Sequence, residues 1–254
     1  MSWAMRRRGV VAAIIIVVLG AVGVWGYYAF LYDAPSCSDF RQNQDEEGID
    51  CGGVCDKICD ASLAVPQVAF VRPVVSGPGR SDVIAYVENP NFTAMAEDVK
   101  YTVELFNSQN VLVATKEGVM DLYPKRNPLF IPNLFSGEET TLRAFLTLDA
   151  STIEWFDYED TRVTMNVRDV RVEHADTLPR IYATIENASY TNSYKNIPMV
   201  VTVFNEEGNA IAASQTVIPQ LRAEGAAQVV FTWNAPFSET AVRQEFIPIL
   251  PDPS

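Results

Sequence analysis

The five residues Ala85-Tyr86-Val87-Glu88-Asn89 return 98 positions later as Ala183-Thr184-Ile185-Glu186-Asn187, and Phe106-Asn107 returns at the same spacing as Phe204-Asn205. Solenoid repeats run to roughly 20–50 residues, so a unit of this length is a whole domain that must bury its own core. Whatever one copy specifies, the chain folds twice. Strand alternation assigns Ala85, Val87 and Asn89 to one face of a sheet and Tyr86 and Glu88 to the other, and the second copy repeats the pattern.

Short apolar runs of period two, broken by turn residues, surround this repeat. In the first copy Val68 to Val75 precedes Gly77-Pro78-Gly79, and Asp82 to Glu88 runs up to Asn89-Pro90-Asn91. Val99 to Phe106 meets a turn at Asn107 to Asn110, and Val111 to Thr115 and Thr140 to Leu148 complete the set. Such runs with Gly, Pro and Asn punctuation predict an antiparallel sandwich or barrel, and no stretch from Ala61 onward carries a sustained helical period. Pro124 to Pro132 reads as an irregular excursion. Beyond it the repeat spacing shifts to 87, pairing Ile131-Pro132 with Ile218-Pro219, Leu134 with Leu221 and Leu142 with Val229. That shift implies about 11 extra residues in the first copy around Lys116 to Pro128, and it sets Gly137 and Gly225 at matching turns. The expected sandwiches are 61–166 and 167–254, with Val163 to Val172 as one extended run across the junction. A closing strand from Phe246 leaves the sheet where prolines remove its ladder donors.

Ahead of the repeat, no charged residue occurs from Gly9 to Leu31, and at about 1.5 Å per residue this run spans a bilayer core of roughly 30 Å. Arg6, Arg7 and Arg8 precede it, acidic residues follow, and Trp25, Tyr27 and Tyr28 lie at its far end, where amphipathic rings favour the interface. The run exceeds the apolar core of a cleaved signal peptide, typically about 7–15 residues. The reading is a signal-anchor: residues 1–8 cytoplasmic, 9–31 a transmembrane helix, and everything beyond outside the cell membrane.

Residues 33–60 form a small module holding all four cysteines, Cys37, Cys51, Cys55 and Cys59. In an oxidising compartment an even count in a short loop-rich segment predicts two disulfides, with three pairings open. The interleaved oxygens of Asp45, Glu47 and Asp50, before Gly52-Gly53, offer a second reading as a calcium site, because calcium takes six to eight oxygen ligands on a tightly turning backbone. Zinc on four thiolates is a third, against which the spacing lacks paired C-x2-C knuckles. No other cofactor is implied.

The run from Cys37 to Cys59, with Asp50-Cys51-Gly52-Gly53 at its centre, resembles a cysteine-rich motif of exported bacterial and some eukaryotic surface proteins. The repeat resembles the FxLYD and late-embryogenesis-abundant water-stress group, on Asn89-Pro90-Asn91 after a strand and on Val103-Glu104-Leu105-Phe106-Asn107 and Val201-Thr202-Val203-Phe204-Asn205. Those strands depart from the naming motif at three positions, Phe to Val, Tyr to Phe and Asp to Asn. The resemblance implies an all-β fold of two tandem immunoglobulin-like antiparallel sandwiches and carries no chemistry. Membrane-anchored double-sandwich proteins of small-genome bacteria look similar overall.

Function classes narrow on charge and motif. Three of the 19 basic residues precede the apolar run, while all 32 acidic residues follow it. So acidic an exterior repels phosphate backbones, so nucleic acid is not an expected partner. The lone histidine, His174, sits at a strand-to-turn edge, and no nucleophile elbow, zinc-protease or phosphate-loop motif occurs. Glu138-Glu139 and Glu206-Glu207 fall in predicted turns, and adjacent strand residues point apart, so neither pair converges on a substrate. Asn91-Phe92-Thr93 and Asn187-Ala188-Ser189 fit the glycosylation sequon. Trp155, Phe156 and Tyr158 are the exposed-aromatic candidates for a glycan or protein partner. The expectation is a non-enzymatic, single-pass envelope protein presenting two sandwiches for binding, adhesion or envelope assembly. The alternative is an accessory subunit of a secretion or pilus-type complex whose helix contacts partners.

Overall fold

The computed structural model describes residues 3–30, 32, 36–43, 45–137, 142–159 and 165–250. Contacts divide the chain into two units, Met1–Cys55 and Asp56–Ser254. In the first, the uncharged run forms one helix, α1 (Trp3–Phe30). Its stretch Arg7–Phe30 is long and apolar enough to cross a membrane, and none of it is buried in the protein. The cysteine-rich segment follows, with Cys37 joined to Cys55.

The second unit carries β1 (Gln67–Gly77), β2 (Arg80–Asn89), β3 (Ala94–Phe106), β4 (Leu112–Leu122), β5 (Lys125–Ser136), β6 (Arg143–Leu148) and β7 (Trp155–Asp157). It continues with β8 (Met165–Glu173), β9 (Arg180–Asn187), β10 (Tyr194–Phe204), β11 (Ala210–Leu221), β12 (Ala226–Thr232) and β13 (Arg243–Pro248). Four antiparallel sheets result: β1-β2-β5, β4-β3-β6 with β7 also on β3, β12-β9-β8, and β11-β10-β13. The first two enclose a core around Val83, Ala85, Val87, Val103, Leu105 and Leu122, and the last two enclose a core around Ile181, Ile185, Met199, Val201, Ile218 and Phe231. The chain is thus mostly β, in two sandwiches.

A third core joins them. Val74, Ile84 and Tyr86 of the first sandwich pack with Val200, Phe204 and Ala213 of the second. Strands β2 and β10 are therefore buried on both faces: Val83, Ala85 and Val87 face one core while Ile84 and Tyr86 face another. The sheets stack in four layers, β4-β3-β6 and β12-β9-β8 outermost.

Equivalent strands explain which faces meet. Val200, Thr202 and Ala213 at the junction correspond, at a spacing of 98, to Thr102, Glu104 and Thr115 on the outer face of the first sandwich. Ile247 lies across from Val200 as Thr147 lies across from Thr102. On the other partner, Ile84 and Tyr86 correspond to Tyr182 and Thr184, half-buried on the outer sheet beside Arg168 and Arg171. Apolar residues at one set of equivalent positions and polar residues at the other decide the docking, since burying a polar side chain without a partner costs about 1–3 kcal/mol.

The ladders overturn the expected insertion. Leu129 lies across from Ala85 as Val229 lies across from Ala183, a spacing of 100, so the repeat drifts by two residues and the first copy carries no extra segment of about 11. Lys125–Ser136 is a strand paired with β2, though with a break in register opposite Asp82, and what read as an irregular excursion is the tight β4–β5 hairpin and the strand after it. Ile131 belongs to β5 and Ile218 to β11, so their shared Ile-Pro is coincidence. Gly137 accordingly follows β5, whereas Gly225 precedes β12.

Candidate functional site

The repeated asparagine is occupied by the fold. Asn89 Nδ2 donates to the Ala94 and Leu122 carbonyls at 2.8 and 3.0 Å, and its Oδ1 accepts from Asn91 N at 2.9 Å. Asn187 does the same with the Asn192 and Arg222 carbonyls at 2.8 and 3.1 Å and Ser189 N at 3.0 Å. With Asn187 buried and its amide nitrogen donating twice, that sequon presents no free acceptor nitrogen. Asn91 exchanges two hydrogen bonds with the Ala64 backbone, fastening the linker to the β2–β3 turn.

In the cysteine-rich segment the oxygens serve the loop itself. Asp50 accepts from the Asp39 and Phe40 amides, and Asp39 accepts from Arg41 N and Asn43 Nδ2. The Asn43 hydrogen bond, ahead of the backbone ones, holds the Asp39 carboxyl below its ordinary value. Gly53 has φ +62°, and a Cβ there would stand 1.8 Å from the Asp45 carbonyl oxygen, which fixes glycine at this turn. The calcium set is corrected: the carboxylate oxygens of Asp45, Glu47 and Asp50 do not gather within 4.8 Å of one another. Among the described residues the trio that does is Cys37, Glu46 and Cys55, two of whose ligand atoms are the sulfurs of one disulfide. Cys51 and Cys59 are disulfide-bonded as well and no thiol is free, which removes the zinc reading. Non-reducing peptide mapping is expected to return a Cys37–Cys55 linked peptide; a Cys37–Cys51 or Cys37–Cys59 peptide contradicts this fold.

The aromatic platform is also corrected. Trp155 is 4% exposed and belongs to the first core, because β7 pairs with β3 at Ala96 and the Trp155 carbonyl accepts from Ile58 N at 2.7 Å. Phe156 is half-buried in the bridge with Lys57, and Tyr158 stacks edge-on against Tyr123 at 5.5 Å. The acidic neighbours Glu154, Asp157 and Glu159 made a core strand read as an exposed one. His174 is an exposed turn residue with φ +54°, and Glu206-Glu207 lies in the β10–β11 hairpin. Glu138-Glu139 lies outside the described residues.

What sequence reasoning missed lies between the sandwiches. Tyr86 and Thr202 share a buried 2.7 Å hydrogen bond, and Arg126 bridges Glu88 at 3.1 Å and Glu245 at 2.7 Å. Beside this junction a cavity of about 260 Å³ is lined by Ser76, Arg80, Asp82 and Asn133 of the first sandwich and by Gln215 and Asn234 around the second. Asp82, 6% exposed, accepts from Asn133 N at 2.7 Å. The signal for the junction was present: Val83 to Val87 and Met199 to Phe204 are near-continuous apolar runs, the mark of a strand buried on both faces.

Burial pushes the Asp82 carboxyl above its ordinary 3.8, against the opposing pull of the Asn133 amide and the neighbouring Ser76 hydroxyl. Folding thus favours its protonated form. The cost is absent below pH 3.8 and complete above the raised folded value. Asp82→Asn retains an acceptor for Asn133 N–H, so it is expected to raise Tm at neutral pH and leave it unchanged near about pH 3. A lower Tm at neutral pH would show that hydrogen bonding, and not burial, governs the site.

No protein-family model matches the chain, and no curated protein matches it. Among solved structures, the crystal structure of red sea bream transglutaminase aligns with 74% of this chain at 13% identity and a TM-score of 0.25. The chain spans 29% of the length of that enzyme, and a likeness of this size carries no argument about chemistry.

Proposed function

We propose that this chain is a single-pass membrane protein that holds a fused pair of binding sandwiches outside the cell membrane, with residues 1–8 in the cytoplasm. The observation that carries the reading is the apolar helix α1, unburied by the rest of the protein, followed closely by a segment whose cysteines are all disulfide-bonded. Disulfides persist in oxidising compartments, and three arginines ahead of an apolar helix favour retention on the cytoplasmic side.

The sandwiches, in this reading, are immunoglobulin-like modules of the FxLYD and water-stress group, and their role is adhesion or envelope assembly by binding and not catalysis. The duplication and the two asparagine clamps support a shared ancestral module. Protease added to intact cells is expected to remove the 61–254 region while spareing a cytoplasmic control; its survival under conditions that cleave an exported control would reverse the topology. Replacing residues 9–31 with an unrelated membrane helix should preserve function. Loss of function after that exchange would favour an accessory subunit that works through its helix.

A further inference from the structure

We propose that the cavity between the sandwiches binds one neutral polyhydroxylated ring, a saccharide unit either free or at the end of a glycan, through Asp82 and Ser76. This deepens the reading of the sandwich pair as a binding module and rests on it.

The duplication supplies an internal comparison. In the second sandwich the ladder between β9 and β12 runs unbroken from Arg180 opposite Thr232 to Glu186 opposite Ala226. In the first, the equivalent ladder breaks: Ser81 lies across from Phe135 and Val83 from Ile131, so three residues of β5 bulge opposite Asp82. Next to it β1 breaks too, with Val75 opposite Ser81 and Gly77 opposite Arg80, leaving Ser76 out of register. Bulges re-aim side chains and are over-represented beside binding sites. Here two of them, on neighbouring strands, bring a carboxylate and a hydroxyl to the same cavity. Asp82 corresponds to the exposed Arg180 in the second copy, where the ladder is regular. The first sandwich therefore departs from the shared design where it lines this space.

The chemistry narrows the ligand. Ser76 Oγ is buried without a hydrogen-bond partner, an arrangement that native proteins rarely leave unexplained. It lies near enough to Asp82 to favour its charged form but lacks the geometry of a hydrogen bond. The amides of Asn133, Gln215 and Asn234 offer both donors and acceptors. A single carboxylate is a poor calcium site, which draws on six to eight oxygens and several charges. Arg80 on the same lining balances Asp82, so the cavity has no net charge with which to select a small ion. Mixed donors and acceptors beside the apolar carbon of Phe130 and Trp233 suit a ring with hydroxyls at its rim and C–H groups on its faces. At about 260 Å³ the space lies under the range of roughly 300–1,000 Å³ for drug-sized ligands, which fits one ring and not a chain.

The test is titration of the full chain, in a detergent without a sugar headgroup, with a panel of methyl glycosides, free hexoses, hexosamines and short oligosaccharides. Binding is read by saturation-transfer NMR and calorimetry. At least one monosaccharide is expected to saturate, and Asp82→Asn and Gln215→Ala are each expected to weaken it about tenfold or more. Arg180→Ala, at the corresponding position of the second sandwich, leaves binding unchanged. Asp82→Asn should lose binding while keeping or raising Tm, a combination that a purely structural carboxylate does not give. Gln215 is exposed, so its variant tests the site without disturbing a core. Tighter binding of an oligosaccharide than of its terminal unit identifies a glycan end as the source, and equal binding identifies the free sugar. No saturation by any ligand up to about 10 mM, or saturation indifferent to both variants, overturns the proposal. The topology reading would survive that failure, because protease shaving decides it independently.

Discussion

Tyr86→Ala is expected to cost about 3–5 kcal/mol and to split one cooperative unfolding transition into two. Tyr86 is 1% exposed, its ring lies 4.6 Å from that of Phe70, and the Arg126 guanidinium stands 5.1 Å from its centroid. Burial, partly offset by the Thr202 hydrogen bond, pushes its hydroxyl up to about 12, so it remains neutral across the physiological range. Removing the ring empties the middle of the junction while leaving both sandwich cores intact. The loss therefore falls on the coupling between the sandwiches. Tyr86→Phe separates packing from hydrogen bonding: Thr202 is fully buried, and leaving its hydroxyl unpaired costs about 1–3 kcal/mol. Calorimetry of the 61–254 region within the full chain checks both variants. A single unshifted transition in Tyr86→Ala would mean that the third core does not couple the two units.

Asn89→Ala and Asn187→Ala are expected to destabilise their own sandwiches by similar amounts. Each removes a side chain that donates to two carbonyls and accepts from one amide, and every buried group left unpaired costs about 1–3 kcal/mol. The partners are not shared, so the double variant should lose the sum of the single losses to within about 0.5 kcal/mol. Denaturant unfolding of all three variants measures this. A large loss in one copy and none in the other would show that the clamps are not equivalent, despite the same three bonds.

These two experiments probe features that differ in how far sequence reveals them. Asn89 and Asn187 were visible as a repeated strand end, because a polar residue closing an alternating run before a turn, Asn89-Pro90-Asn91 in one copy and Asn187-Ala188-Ser189 in the other, has a local cause. The strands themselves were legible for the same reason. An insertion was read where there is none because Ile-Pro recurs in two strands that are not equivalent, and only cross-strand partners establish that Leu129 answers to Val229. Trp155 was misread because its burial depends on pairing with Ala96, far along the chain, and not on its acidic neighbours. Asp82 was invisible as a site residue: its meaning comes from a bulge opposite it and from a second sandwich closing over the space. Long-range pairing, which no local pattern encodes, accounts for each miss.

The docking of the two sandwiches is a head-to-tail contact between unlike faces of like units, and such contacts have no intrinsic end: repeated, they grow a filament. The equivalent positions work against such growth. A further copy laid on the first sandwich in the same way would put Glu104 in the place of Thr202 and a Thr184 in the place of Tyr86, so a carboxylate and the arginines beside Thr184 would have to leave water where an apolar core now forms. The polar outer sheets lack the apolar faces that join these two sandwiches. A duplicated fold can thus carry the geometry of a polymer and still build one apolar joint, its place set by which copy of each face turned polar.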